Sequence, residues 1–429
     1  MIIWHRISTW RLGALAVCIA VTTICAVFST RSTWASPTLS PGVSVVQLSD
    51  NGSSSSYRGY PQVSGDGSTV YLILGYSPAG VANGQDLMRW RAGQPLETIV
   101  TLETQRWDSS ISRPSTNYDG TRVSYRSRFD PQFEHVSPSA DSHLFLYEEG
   151  TGIRDVFGDP RYAVYEPMMT PDGSTIFFST TSDVDGVNPR HETIGCRYDV
   201  ADEAVTPVLT FAAASTSDDA NKALWRGVSN TDRQLMLSNG NHGGLNPENR
   251  AAYFTVEQGE PELLEKFTAA HYVATKHSAA NLRSQMSADG RHALFNDVDE
   301  NVHLIDLVTG ELTTMPFTVR QRDFVISGNG DYVFYANRQT PISLFRWDRA
   351  TGSSELLLTQ EATYIDWQLS TDFSGNHLAF RSPNDLTGGN PDHQYQVFLM
   401  TVPEPSTFIL LAAGAFGLLA YGWRRRRNK

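Results

Sequence analysis

The chain has 429 residues, of which 40% are hydrophobic, and its 34 basic and 46 acidic residues give a formal net charge of -12. Because the termini hold several of the arginines, the region between them is more acidic still, which argues against nucleic-acid binding. The apolar content is ample for a packed core, and the repeats described below predict one large domain between two targeting segments.

The N-terminal segment, residues 1–35, is predicted to be an export signal. A cationic start leads into the apolar run 12–28, and Ala35 provides the small residue of a cleavage site. The alternative is an uncleaved signal anchor, because the apolar run is long and Trp34 is unusual beside a cleavage site. Either form takes the protein out of the cytoplasm.

The distribution of the three cysteines limits disulfide formation. Cys18 and Cys25 lie in the predicted export signal, and only Cys196 lies in the body of the chain. No disulfide can therefore form within the body. A single cysteine on a predicted strand is typical of a small core residue rather than of a reactive thiol.

The body begins with a short linker and a strand that has no partner nearby. Residues 36–42 are rich in Pro and Ser and are predicted to form the linker. Residues 43–48 alternate between apolar and polar side chains, as a half-buried strand does. This strand comes before the first of a series of repeats.

One unit recurs seven times between residues 43 and 402. Each unit begins with a turn sequence that usually ends in Gly, and a strand with apolar residues two apart follows. The turns occupy residues 64–67, 117–120, 170–173, 230–233, 287–290, 327–330 and 372–375. Units of about four strands at intervals of roughly 40 to 60 residues are typical of a β-propeller. The sequence therefore predicts an all-β, seven-bladed propeller, with six or eight blades as the alternatives.

The last unit is one strand short. The first six units end in a fourth strand signal, at residues 96–102, 153–157, 205–211, 263–267, 312–317 and 355–358. The seventh stops at Thr401 and Val402 and continues directly into Pro403. We predict that residues 43–48 supply the missing outer strand, because this pairing closes the ring and removes an exposed sheet edge.

The repeats resemble a known family. The turn and strand of residues 170–179, and the loop and strand of residues 381–399, resemble the WD40-like repeats of TolB-type bacterial propellers. The resemblance covers residues 43–402 and implies the fold rather than an activity, because propellers host unrelated functions. The fourth unit departs from the pattern, since Arg233 stands where the turn glycine is expected.

The C-terminus, residues 403–429, changes character abruptly. Pro403, Glu404 and Pro405 precede residues 407–423, which carry no charge, and Arg424, Arg425, Arg426 and Arg427 follow. A helix of this length spans about 25 Å, so we predict one transmembrane helix with the arginines held in the cytoplasm.

The three parts of this C-terminal segment together resemble the PEP-CTERM sorting signal. The resemblance implies export in a Gram-negative bacterium and recognition at Pro403, Glu404 and Pro405 by a membrane-embedded exosortase. The protein would be anchored transiently in the inner membrane and would then reach the cell surface or the extracellular matrix. An ordinary C-terminal anchor is the alternative.

No catalytic, cofactor-binding or metal-binding residues are predicted. The sequence lacks a Gly-x-Ser-x-Gly elbow, zincin histidine spacing and a phosphate-binding glycine loop. Residues 183–188 suggest a calcium loop, but the order of acidic residues is wrong and we interpret them as a metal-free hairpin loop. The histidines of the body, including His135, His143, His242, His271, His277, His303 and His393, show no ligand spacing.

The sequence is compatible with three hypotheses for the function of the propeller. The first is a non-catalytic propeller that binds an extracellular protein or polysaccharide through loops on one rim. The second is an enzyme, a lyase or hydrolase acting on extracellular polysaccharide at one mouth of the central channel. Convergence of acidic and histidine side chains at that mouth would favour the enzyme. The third is a purely structural component of a biofilm matrix.

Overall fold

The computed structural model describes residues 37–49, 60–76, 84–102, 111–128, 142–159, 161–209, 223–231, 233–238, 245, 252–263, 284–296, 301–318, 323–337, 341–360, 368–403 and 424. The predicted export signal 1–35 and the predicted span 407–423 lie outside these residues. The described strands form seven antiparallel sheets, which are the blades of a propeller. The prediction of an all-β, seven-bladed fold is confirmed.

The first half of the ring contains the following strands. Two short strands come first, β1 (Thr38–Leu39) and β2 (Ser44–Gln47). Blade 1 contains β3 (Gln62–Val63), β4 (Thr69–Tyr76), β5 (Gly84–Arg91) and β6 (Glu97–Leu102). Blade 2 contains β7 (Ser112–Thr116), β8 (Arg122–Ser127), β9 (His143–Glu148) and β10 (Gly152–Phe157). Blade 3 contains β11 (Val164–Met169), β12 (Thr175–Thr180), β13 (Ile194–Asp199) and β14 (Ala204–Leu209), with a 3-10 turn at Val184–Gly186.

The second half completes the ring. Blade 4 contains β15 (Ala223–Val228), β16 (Arg233–Ser238), β17 (Ala252–Glu257) and β18 (Glu260–Leu263). Blade 5 contains β19 (Ser284–Met286), β20 (His292–Asn296), β21 (Asn301–Asp306) and β22 (Leu312–Thr318). Blade 6 contains β23 (Phe324–Ile326), β24 (Tyr332–Asn337), β25 (Ile342–Asp348) and β26 (Ser353–Gln360). Blade 7 contains β27 (Ser370–Thr371), β28 (His377–Ser382) and β29 (Gln396–Thr401).

The ring is closed by the N-terminal strand β2. It pairs antiparallel with β29, with Ser44 opposite Thr401 and Gln47 opposite Phe398, and so becomes the outer strand of blade 7. The predicted closure by residues 43–48 is confirmed. The preceding strand β1 lies inside the segment predicted to be a linker and pairs with β26 at the outer edge of blade 6.

The hydrophobic core lies between neighbouring blades. Each buried cluster takes side chains from two adjacent sheets, because both faces of a blade pack against its neighbours. Between blades 3 and 4, Phe177 packs edge-on against Trp225, whose indole N–H donates to the Phe178 carbonyl at 2.9 Å. The apolar residues that lie two apart in each strand therefore form the packing between neighbouring blades.

The repeated turns form a continuous ring around one end of the central channel. Backbone hydrogen bonds join neighbouring turns of this ring. In the first half, Asp66 N–H donates to Tyr118 O at 2.8 Å and Tyr118 N–H to Pro171 O at 2.6 Å. In the second half, the bonds are Asn230 N–H to Ala288 O at 3.2 Å, Ala288 N–H to Gly328 O at 2.8 Å, Asn329 N–H to Phe373 O at 2.9 Å and Phe373 N–H to Gly65 O at 2.8 Å. Between blades 3 and 4 the Asn230 side chain accepts the Asp172 N–H at 2.8 Å. The turn glycines permit this approach: a Cβ on Gly120, whose φ is +67°, would lie 2.5 Å from Cβ of Thr69.

The fourth turn departs from the others for a simple reason. In blade 4 Val228 pairs with Gln234, whereas in blade 1 Val63 pairs with Val70. The fourth hairpin is therefore one residue shorter, which explains why a glycine is missing from its turn. The fourth strand of this blade was also predicted too late, at 263–267: Gln258 and Gly259 adopt positive φ angles of 52° and 85°, and β18 begins at Glu260.

Candidate functional site

The central channel is the concave site that all seven blades share. The first strand of every blade lines it, and the described residues enclose cavities of about 220 Å³ near the ring of turns and about 180 Å³ toward the opposite mouth. Several polar side chains of the wall bond to the next blade: Ser115 Oγ accepts the Met169 N–H at 2.8 Å, Gln285 Oε1 accepts the Ile326 N–H at 3.0 Å, and Ser370 Oγ accepts the Val63 N–H at 3.0 Å. These groups hold neighbouring blades together.

An ion pair spans two blades at the channel mouth. Glu166 in β11 accepts a hydrogen bond from the guanidinium of Arg226 in β15. The Arg226 side chain is only 5% exposed and that of Glu166 is 22% exposed. A buried guanidinium is costly unless it is paired, so Glu166 stabilises the charge of Arg226.

Local backbone irregularities place this pair at the mouth. The register of β11 against β12 shifts between Tyr165 and Met168, and Glu166 within the shift has a φ of 39°. The register of β15 against β16 shifts between Trp225 and Gly227, around Arg226. Bulges of this kind redirect a side chain, and a positive φ at a residue other than Gly is uncommon and costs free energy.

Sequence reasoning missed Glu166 and Arg226. Each residue lies four positions before a predicted turn, Glu166 before the turn at 170–173 and Arg226 before the turn at 230–233. A Pro follows Glu166, and Pro in a strand marks a bulge or an edge. That residue was the available signal, but the pairing with Arg226 depends on contact between blades.

The described histidines do not converge at the channel mouth. His143 contacts Asp155 at 2.8 Å between the two outer strands of blade 2, and His303 contacts Thr314 at 3.2 Å between the two outer strands of blade 5. His393 lies in an exposed loop of blade 7. Of the predicted candidates, His135, His242, His271 and His277 lie outside the described residues. Within the part of the chain that is described, His, Cys, Asp and Glu side chains form no group that could hold a metal ion.

The loop that suggested calcium binding is held by its own amide groups. Asp183 Oδ1 accepts the Asn188 N–H, and the Asn188 side-chain amide donates to the carbonyls of Ser182 and Glu192 at 3.0 and 2.7 Å. In blade 7, Asp385 accepts the N–H of Asn390 at 2.9 Å, and the Asn390 amide donates to the carbonyls of Pro383 and Gln394 at 3.0 and 2.7 Å. Two blades therefore use the same loop framework, which the Asn side chains organise.

The chain leaves the propeller at the start of the predicted sorting motif. Val402 is fully buried, and Pro403 O accepts a hydrogen bond from Arg346 at 3.1 Å. Arg424 is described and exposed. The remaining predicted motif and tail residues, Glu404, Pro405, Arg425, Arg426 and Arg427, lie outside the described residues. No helix among the described residues has the length and apolar character that a membrane span requires.

Comparison with known sequences identifies the C-terminal segment. Residues 401–427 match the family described as the PEP-CTERM protein-sorting motif. This motif implies export and exosortase-dependent processing to the surface or exterior of a Gram-negative cell. No curated protein matches the chain in sequence.

Solved structures support the fold. The chain is similar to an oligogalacturonate lyase from Vibrio parahaemolyticus, with 10% identity over 87% of this chain and 97% of the lyase and a TM-score of 0.53. It is also similar to the β-propeller domain of the Trilobed protease from Pyrococcus furiosus, with 11% identity over 80% and 95% of the two chains and a TM-score of 0.50. Identities this low indicate a shared fold only.

TolB from Acinetobacter baumannii is a third structural neighbour. It is 16% identical over 70% of this chain, with a TM-score of 0.42, and the chain spans 64% of TolB's length. The strand topology and the matched tail give the architecture. The chain is a seven-bladed β-propeller with TolB-like structural neighbours that carries a PEP-CTERM protein-sorting motif at its C-terminal end.

Proposed function

We propose that the propeller is a non-catalytic binding module for an extracellular polysaccharide or protein, and that exosortase processing delivers it to the cell surface or extracellular matrix. The observation that carries this proposal is that several polar side chains of the channel pair with each other or with the next blade. Ser115, Gln285 and Ser370 accept backbone N–H groups, and Glu166 pairs with Arg226. Such groups support a rigid ring for presenting surface residues.

Charge at the mouth supports binding more than hydrolysis. Glycoside hydrolysis commonly uses two carboxylates that flank the scissile bond, one of them a general acid with a raised pKa. Among the described residues that line the mouth, Glu166 is the acidic one, and its carboxylate is paired with Arg226. These residues therefore provide one carboxylate at the mouth rather than two, and it can still accept hydrogen bonds from a ligand.

Binding to material from the native host tests the proposal. The full chain, purified in mild detergent, would be immobilised and exposed first to the extracellular polysaccharide and then to the surface proteins of the same cells. We expect saturable binding to at least one of these fractions. Absence of saturable binding to every fraction would refute the proposed function.

A polysaccharide lyase or hydrolase is the second candidate. The observation that favours it is the positive φ of Glu166, because strained backbone residues cluster at active sites. Arg226 beside Glu166 would suit the carboxylate of a uronate residue. Incubation of the protein with the bound polysaccharide, followed by assay of new reducing ends and of unsaturated sugar ends, tests this candidate. Turnover that Glu166→Gln abolishes would establish the enzyme, and unchanged polymer would favour the binding module.

A further inference from the structure

Three arginines occupy equivalent positions on the third strands of different blades. Arg89 in blade 1 lies opposite Tyr71, Arg197 in blade 3 lies opposite Phe177, and Arg346 in blade 6 lies opposite Phe334. Tyr71, Phe177 and Phe334 each lie on the second strand of their blade, four residues after the last residue of the repeated turn. The three positions can therefore be compared directly.

Two of these arginines are buried and paired. Arg89 is 6% exposed and contacts Glu97 on the outer strand of its own blade at 2.6 Å and Glu149 of blade 2 at 3.3 Å. Arg346 is 2% exposed, contacts Glu355 on its own outer strand at 2.8 Å and donates to Pro403 O. In both cases the outer-strand Glu is the direct register partner of the arginine.

The third arginine has lost both kinds of acidic partner. The register partner of Arg197 on the outer strand is Thr206, at the position that Glu97 holds in blade 1. Gln258 of blade 4 occupies the position that Glu149 holds in blade 2. Glu149 follows Glu148, which pairs with the first residue of β8, and Gln258 follows Glu257, which pairs with the first residue of β16. Arg197 is exposed, and no hydrogen bond or ion pair joins it to another described residue.

Arg197 lies in a polar cleft between blades 3 and 4. The cleft has a volume of about 610 Å³, and hydroxyl and amide side chains contribute much of its lining, including Thr206, Asn230 and Gln258. It includes residues of the shortened fourth hairpin, at the junction where a side chain replaces the usual backbone bond of the turn ring. The turn ring is therefore altered between blades 3 and 4, at the cleft that contains Arg197, which is unpaired among the described residues.

The cleft also contains two carboxylates, Asp172 and Glu260. Asp172 Oδ1 already accepts hydrogen bonds from Thr170 and Ser174 at 2.6 and 2.8 Å. Closely spaced negative charges on a ligand would be repelled by these two groups. A ligand whose carboxylates are separated by neutral hydroxyl groups would avoid that repulsion and could donate hydroxyl hydrogen bonds to them.

We propose that this cleft binds a carboxylate-bearing polysaccharide, with Arg197 pairing with one uronate carboxylate. The hydroxyl and amide groups of Thr206, Asn230 and Gln258 hydrogen-bond the sugar hydroxyls. Guanidinium groups match carboxylates in bidentate geometry, and charge-assisted hydrogen bonds are stronger than neutral ones. This inference rests on the proposed function, for which it names a ligand class and a binding site.

Binding of defined polymers to the full chain, purified in mild detergent, tests the inference. Polygalacturonate is the probe, and its fully methyl-esterified form and neutral dextran are the comparison polymers. We expect the free acid to bind and the ester and dextran to bind at least about tenfold more weakly, as the loss of a charged hydrogen bond predicts. Arg197→Ala should weaken polygalacturonate binding by a similar factor.

A double variant gives a sharper test. Thr206→Glu with Gln258→Glu restores the two acids that accompany Arg89 in blade 1, so Arg197 should become paired and polygalacturonate binding should be lost. Both positions are exposed, so the melting temperature should stay close to that of the parent. Arg291→Ala is the matched control, because it removes a surface arginine that pairs with Asp306 in blade 5.

Each outcome distinguishes the inference from the proposed function. Failure of polygalacturonate to bind, or equal binding by the Arg197→Ala and Arg291→Ala variants, overturns the cleft as a uronate site. Equal binding of the free acid and the ester overturns the role of the carboxylate. In all three cases, binding of the host's own polysaccharide or protein fraction would leave the proposed function intact.

Discussion

Replacement of Leu48 by alanine should destabilise the closed ring. Leu48 follows β2, is 6% exposed and packs in the cluster between blades 7 and 1 with Val63 and Val70. Its N–H donates to Val397 O at 2.8 Å, a bond that the substitution keeps. The measured effect therefore reports side-chain packing across the closure.

The size of this effect follows from burial. Leu to Ala at buried sites costs about 2–5 kcal/mol, and we take about 2–3 kcal/mol because Leu48 lies at the end of a strand whose neighbours can partly fill the space. An unfolding entropy of about 2.1 cal/mol/K per residue, over a propeller of roughly 360 residues, gives about 0.8 kcal/mol/K. The melting temperature should therefore fall by about 3–4 °C.

Val46→Ala is the matched control, because Val46 lies in β2 and is 49% exposed. Its melting temperature should change by less than about 1 °C, as expected for surface substitutions. Deletion of residues 37–50 removes both N-terminal strands, so we expect a larger fall than for Leu48→Ala. Calorimetry on the parent and the three variants measures these shifts. Equal melting of the Leu48 and Val46 variants, or of the deletion and the parent, would refute closure by β2 as a source of stability.

Four further predictions concern other parts of the chain. Addition of a chelator should leave the melting temperature unchanged, because Asn188 organises the 183–188 loop through hydrogen bonds; a large fall would reveal a metal. Intact-mass analysis from the native host should show loss of the residues beyond the Pro403–Pro405 motif, and Glu404→Ala should retain the protein in the inner membrane; recovery of Lys429 with exosortase present would contradict this. Burial raises the pKa of the Cys196 thiol to about 12, so a thiol reagent should label it at neutral pH only after unfolding; rapid labelling of the folded protein would contradict the burial. Burial raises the pKa of Asp306, but bonds from Arg291, Thr309 and Val308 outweigh this and lower it to about 2. Asp306→Asn should therefore remove a stabilisation that is present above about pH 4 and disappears toward pH 2; a pH-independent difference from the parent would count against it.

Local sequence determined the architecture of this protein. The turn residues and the alternation of apolar side chains act within a few positions of each other, so they indicate strands and hairpins without knowledge of the fold. The spare strand at residues 43–48 and the missing strand after Thr401 were sufficient to predict closure, because an unpaired sheet edge is unfavourable. The tail was predictable for a similar reason, since its motif, apolar run and arginines are contiguous.

The details of the turns were less predictable. The missing glycine of the fourth unit was visible in the sequence, but the one-residue shortening of the hairpin is a property of strand register, seen only in the pairing of Val228 with Gln234. The start of β18 likewise depends on the turn before it, in which Gln258 has a positive φ. Among the residue types, only Gly strongly signals a positive φ in the sequence.

The candidate sites were decided by tertiary structure. Glu166 and Arg226 are 60 residues apart and meet only because blades 3 and 4 are neighbours and both inner strands bulge at the mouth. Arg197 stands out only when its register partner Thr206 and its neighbour Gln258 in the next blade are compared with the acids around Arg89. Short-range patterns specify strands and turns, whereas the state of a charged side chain depends on which groups the packed blades bring within a few ångströms of it.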